Sequence, residues 1–189
     1  GIMGEENLGA GLSAVYKAEW GVSGDTAGTP DLTGRDRFLG LKGNFGTFKL
    51  GAYDSPLKSS QGTVDQFNDM NNLDMGNVIT GENRMDNLIG YESPKLADAI
   101  TVKVALQPGE DTAGGSDGIA DVISASVVFE ADSLYLAAAI DQGDGVGANT
   151  GTNRDTIRLT GGFKLDALQL GLLLQDSELS DGPVDQKEM

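Results

Sequence analysis

The sequence predicts an all-β protein, an antiparallel up-and-down meander that forms part of a transmembrane β-barrel. Three observations carry this. Apolar and polar residues alternate with period two along many short segments, the mark of strands with one greasy face. Tight turns alternate with long loops between those segments. The polar positions carry charge and small polar groups strand after strand, as a wet interior requires.

The alternation can be followed along the chain. Leu12, Ala14, Tyr16 and Trp20 oppose Ser13, Lys17 and Glu19. Ile100, Val102, Val104 and Leu106 oppose Thr101, Lys103, Ala105 and Gln107. Ile123, Ala125, Val127 and Phe129 oppose Ser124, Ser126 and Val128. Leu134, Leu136, Ala138 and Ile140 oppose Tyr135, Ala137, Ala139 and Asp141. Ile157, Leu159, Phe163 and Leu165 oppose Arg158, Thr160, Gly162 and Lys164. Leu168, Leu170, Leu172 and Leu174 oppose Gln169, Gly171, Leu173 and Gln175. Arg35, Arg37 and Lys42 change parity within one strand, so they share a face only if that strand bulges.

Short connections fall near Asn7–Gly11, Gly43–Gly46, Ser93–Asp98, Glu130–Ser133 and Asp166–Ala167, and long ones near 21–36, 54–83, 108–118, 142–153 and from 178 onward. This spacing predicts about ten strands, with tight turns at one end and long loops at the other. The long segments hold most of the acid, including Asp25, Asp31, Asp36, Asp54, Asp65, Asp69, Asp74, Glu82, Glu110, Asp111, Asp117, Asp144 and Glu178.

Composition excludes several function classes. The 189 residues carry 29 acidic and 13 basic side chains, a net charge of -16, which disfavours any nucleic-acid surface. There is no Cys and no His, which removes disulfide scaffolds, thiolate zinc sites, cysteine nucleophiles and the Ser-His-Asp triad. The longest apolar run, Leu134 to Ile140, is too short for a helical membrane span, which needs about 20 residues. Gly1 is followed by neither a basic region nor an apolar stretch, so the sequence is expected to start inside a domain and to stop inside a loop.

With these residues in view the sequence resembles the general porins of Gram-negative bacteria. GIMGEENLGAGLSAVYKAEW is similar to a turn and strand near the start of that family's barrel. RDRFLGLKGNFGTFKLGAYDSPLK resembles its next hairpin, and ENRMDNLIGYESPKL the stretch after its constriction loop. The resemblance implies a single barrel domain over 1–189, part of a barrel of about sixteen strands in the outer membrane. It implies a homotrimer among outer-membrane lipid and lipopolysaccharide, a water-filled channel for passive diffusion of ions and small hydrophilic solutes, no chemistry and no cofactor. The constriction loop would be residues 56–83, with Asp65, Asp69, Asp74 and Glu82 as its acidic side. Lys17, Lys49, Arg84, Lys103, Arg158 and Lys164 would form the facing basic wall, since a cation facing mid-depth lipid costs roughly 2–4 kcal/mol. Ala52 and Gly90 stand where relatives often carry Arg, which thins that wall and predicts a modest preference for cations.

Two alternatives remain at this stage. One is a secreted or surface acidic β-rich adhesion module binding calcium through GEDTAGGSDG and DQGDGVGANTG, although neither run has the ligand spacing of a calcium roll or an EF-hand. The other is a carboxylate hydrolase, for which no acid/base pair stands out. Tyr16, Trp20 and Phe129 are expected at the membrane boundaries.

Overall fold

The computed structural model describes residues 1–24, 32–67, 70, 72–109, 118–144, 153–179 and 187–188. Each strand pairs antiparallel with the next in one sheet, in sequence order: β1 (Ile2–Gly9), β2 (Leu12–Val22), β3 (Leu32–Gly43), β4 (Gly46–Asp54), β5 (Arg84–Glu92), β6 (Ile100–Gln107), β7 (Val122–Ala131), β8 (Leu134–Asp144), β9 (Asn153–Leu165), β10 (Leu168–Leu179) and a two-residue β11 (Lys187–Glu188). Among the described residues the sheet is open, with β1 at one edge and β11 at the other. A four-residue helix, α1 (Pro56–Ser59), follows β4.

The sequence makes the meander locally. Two-residue turns begin on residues in the left-handed region, Ala10 (φ 51°), Asp132 (φ 47°) and Asp166 (φ 48°), a twist that brings the next strand back alongside. The long connections all leave from the opposite end, as expected.

Burial alternates strictly on β7, β8 and β9. Ser124, Ser126, Ala137, Ala139, Asp141, Thr156, Arg158 and Thr160 are buried, while Ile123, Val127, Leu136, Ile140, Ile157 and Leu159 between them are exposed. Small and polar residues are covered and large aliphatic ones are bare. A water-soluble sheet has the reverse arrangement, and a sheet with lipid outside and water inside has this one. Leu39, Leu41, Phe48, Leu50 and Ile89 continue the bare face on β3 to β5, and Leu168, Leu170, Leu172 and Leu174 on β10. Phe48 packs between Phe45 (ring centroids 5.8 Å apart) and Tyr91 (5.0 Å), forming an aromatic patch at the turn end of the bare face.

Two irregularities shape the covered face. Between β2 and β3 the register shifts between Ala18 and Trp20, so Arg35 and Asp36 stand opposite Glu19. The strand therefore begins at Leu32, earlier than the loop boundary near 36 that the sequence suggested, and carries Asp36 into the wall. In β5, Asn87 takes φ 57°, and Met85 and Leu88 both reach the covered side although three residues apart. With Tyr53, Ala105, Val122 and the flank of Phe38 they form a small apolar cluster on an otherwise polar face.

The separation of faces makes a direct prediction. Spin labels at Val102, Leu170 and Leu172 should be oxygen-accessible in lipid, and those at Lys103, Gln169 and Gln175 should be water-accessible. Labels that fail to split by parity would exclude a lipid-facing sheet.

Candidate functional site

The covered face owes its cover to the described residues of 55–82, which fold back across it. The segment starts as a capped turn. Ser55 accepts from the Lys58 N–H (3.0 Å), Pro56 opens the helix, and the Ser60 hydroxyl donates back to the Leu57 carbonyl (2.6 Å). Leu57 is wholly buried, and its N–H donates to Ser124 Oγ on β7 (3.1 Å).

Further along, Tyr135 on β8 donates to the Ser60 carbonyl (2.8 Å), and Gln169 on β10 donates to the Thr63 carbonyl (2.9 Å). Val64 sits in a notch made by Gly162 and Gly171, which face each other across β9 and β10. A Cβ on Gly171 would lie 2.8 Å from Val64, so the notch requires that glycine.

Arg158 on β9 holds both ends of the segment. One guanidinium nitrogen donates to the Leu57 carbonyl (3.3 Å) and to Glu82 (2.6 Å), the other to the Thr80 carbonyl (3.1 Å). Its Nε donates to Gln175 (2.8 Å), which itself donates to the Thr80 carbonyl (3.0 Å). Arg158 is on the expected face, yet it is wholly covered rather than open to water. Burial pushes the Glu82 carboxyl above its ordinary value, and the adjacent Arg158 opposes that rise.

The other predicted acids have local partners. Asp65 accepts from the N–H groups of Phe67 (2.9 Å) and Met75 (3.2 Å). Asp74 accepts from the Gly76 N–H (2.7 Å) and caps a 3₁₀ turn, Met75–Asn77. Asp69 lies outside the described residues, as do most of the two Gly/Asp-rich runs.

The wall between β2 and β5 carries a chain of ion pairs. Arg35 meets Glu19 (3.2 Å), Glu19 meets Lys17 (2.8 Å) and Lys17 meets Asp36 (2.9 Å). Asp36 meets Arg84 (2.7 Å), Arg84 meets Asp54 (2.9 Å) and Asp54 meets Lys58 on α1 (3.3 Å). Sequence reasoning placed Asp36 and Asp54 among the loop acids and missed this chain. The parity change among Arg35, Arg37 and Lys42 was the only signal of the bulge that builds it.

Lys49 pairs with Glu92 (3.2 Å) and lies over the rings of Phe38 (5.5 Å) and Tyr53 (5.1 Å). Tyr53 fills the space a side chain at Gly90 would need. Among the described residues Lys103 and Lys164 make no ion pair, and both line a cavity of about 540 Å³ beneath the segment. A second cavity of about 220 Å³, lined by Asp36, Asp54, Lys49, Tyr53 and Gly90, adjoins it through Ser59, Glu92 and Lys103. The covered face is thus lined by charge, crossed by a pinned segment and hollowed by two adjoining cavities.

Comparison with known proteins agrees with this architecture. A family model described as Gram-negative porin matches residues 1–187. The chain is 37% identical over 123 residues to the major outer membrane protein P.IB of Neisseria gonorrhoeae, an alignment covering 62% of this chain and 34% of the relative. It is 29% identical over 194 residues to P.IB of Neisseria lactamica, covering 97% of this chain and 56% of that protein. An anion-selective porin from Comamonas acidovorans has the same fold, with a TM-score of 0.75 at 24% identity over 98% of this chain and 59% of that one. OmpT of Vibrio cholerae in a trimer form superposes with a TM-score of 0.65 at 18% identity, covering 97% of this chain and 58% of that one. The chain therefore spans between about a third and three fifths of the length of these relatives. With strand order, bare apolar exterior and family match in agreement, the chain belongs to the Gram-negative porins, proteins of the outer membrane.

Proposed function

We propose that this chain supplies much of the wall of a water-filled channel through which ions and small hydrophilic solutes diffuse passively across the outer membrane. The observation that carries this is the inverted sheet: large aliphatic side chains bare outside, charge and hydroxyls inside, with cavities along the inner face. Nothing in this reading requires a reaction or a cofactor. The assembly we propose is a homotrimer in outer-membrane lipid beside lipopolysaccharide, in keeping with the trimer form of the Vibrio structure. Residues 56–83 act as the constriction, a reading supported by the bonds that fasten Leu57, Ser60, Thr63 and Glu82 to β7 through β10. The full-length protein should give stepwise conductance in a planar bilayer, and an absence of steps would overturn the channel reading.

Arg158 should set how firmly the constriction sits. Removing one partner of a buried ion pair typically costs about 3–5 kcal/mol, because the other charge stays buried alone. Arg158→Gln should therefore make residues 60–80 cleavable by protease in the folded protein and increase open-channel noise. Arg158→Gln with Glu82→Gln should recover part of the loss. Unchanged protease resistance in the single variant would exclude the clamp.

Selectivity follows from which charges are compensated. Lys17, Lys49, Arg84 and Arg158 are each paired with a carboxylate, whereas Asp65 accepts from backbone N–H groups; among the described residues Lys103 and Lys164, which make no ion pair, weigh the other way. We infer a modest preference for cations, in contrast to the anion-selective Comamonas porin. Salt should weaken it, since the Debye length falls from about 10 Å at 0.1 M to about 3 Å at 1 M. Asp65→Asn with Asp74→Asn keeps an acceptor oxygen for the Phe67 and Gly76 N–H groups, gives up the Asp65–Met75 bond and removes two charges, so it should move the zero-current potential toward anions. A parent that already prefers anions would overturn this reading.

A further inference from the structure

The ion-pair chain on the wall between β2 and β5 has a polarity that bears on permeation. Asp36 uses one carboxylate oxygen for Lys17 (2.9 Å) and the other for Arg84 (2.7 Å). Its side chain retains only 17% exposure, and it lines the 220 Å³ cavity beside Lys49 and Tyr53. Two cations from different strands, β2 and β5, thus converge on one anion in the passage wall.

We propose that Asp36 is a specificity-determining residue, holding Lys17 and Arg84 neutralised so that this stretch of wall does not recruit anions. The inference rests on the channel reading above and goes further by assigning selectivity to a residue outside the constriction segment. The chain from Arg35 to Lys58 alternates sign, with four cations against three anions, so its field nearly cancels beyond the nearest neighbours. Removing a terminal charge changes that balance at the margin. Removing Asp36 leaves Lys17 with only Glu19 and Arg84 with only Asp54, so four cations face two anions. That surplus of positive charge at the wall attracts a mobile anion, and the low-dielectric protein behind it strengthens the attraction. The glycine at 90 and the alanine at 52 leave no other cation at those two wall positions.

The test is the zero-current potential of the full-length protein in a potassium chloride gradient at low salt. Asp36→Asn should raise the chloride-to-potassium permeability ratio by about two- to fivefold, an effect that shrinks toward 1 M salt. Asp36→Asn with Lys17→Gln restores the charge balance and should return the ratio close to the parent value, which a merely structural role for Asp36 would not produce. Asp86→Asn removes one carboxylate on β5 that is 74% exposed and lines neither cavity, and it should leave the ratio unchanged. If Asp36→Asn does not assemble, Asp54→Asn on the next rung must shift the ratio in the same direction. A shift no larger than that of Asp86→Asn, or a double variant that stays shifted, overturns the inference while leaving the channel intact. A parent that gives no conductance steps overturns the channel reading itself.

Discussion

A backbone crossing hydrocarbon has to satisfy its own N–H and C=O groups, and every other feature of this molecule answers to that requirement. Antiparallel strands joined in sequence order meet it with the shortest connections. Once the strands are fixed, period-two geometry sends successive side chains to opposite solvents. Lipid takes the aliphatic set. Water takes the rest, and an interior that must stay wet cannot be filled by an ordinary hydrophobic core. Stability inside comes instead from hydrogen bonds, ion pairs and one small apolar cluster around Tyr53, Met85 and Leu88.

The inward segment shows how a loop can be held rigid in such a setting. Pure burial contributes at one end, where Leu57 is fully covered, and at the Val64 notch in the middle. Directional bonds supply the rest: Ser124, Tyr135, Arg158, Gln169 and Gln175 each reach a backbone atom of the segment. Main-chain contacts of this kind fix position without depending on the side chains of the residues that make them.

Much of the architecture was legible in the sequence because it depends on local rules. Strand faces follow from parity, and the two-residue turns from residues such as Asp132 and Asp166 that tolerate positive φ. What was not legible depends on register between strands or on distant partners. A one-residue shift opposite Glu19 moved Asp36 from an expected loop to the wall, and no single-strand pattern reports such a shift. The pairs Arg158–Glu82 and Arg84–Asp36 join residues 76 and 48 positions apart. Alternation put Arg158 on the polar face of its strand but could not say that it would be covered, nor that Arg84 would be shared between two aspartates. The inner apolar cluster was hidden for the same reason, since Met85 and Leu88 share a face only through the left-handed Asn87.

The Arg158 clamp also imposes an order on assembly. Leu57 and Arg158 are separated by 101 residues, and Thr63 and Gln169 by 106, so the seat for the segment does not exist until β9 and β10 have joined the sheet. Closing so long a stretch of chain is entropically slow compared with adding the next hairpin. The segment therefore takes its seat late, after that part of the sheet is built, and the covered face stays open while its strands are still finding their neighbours.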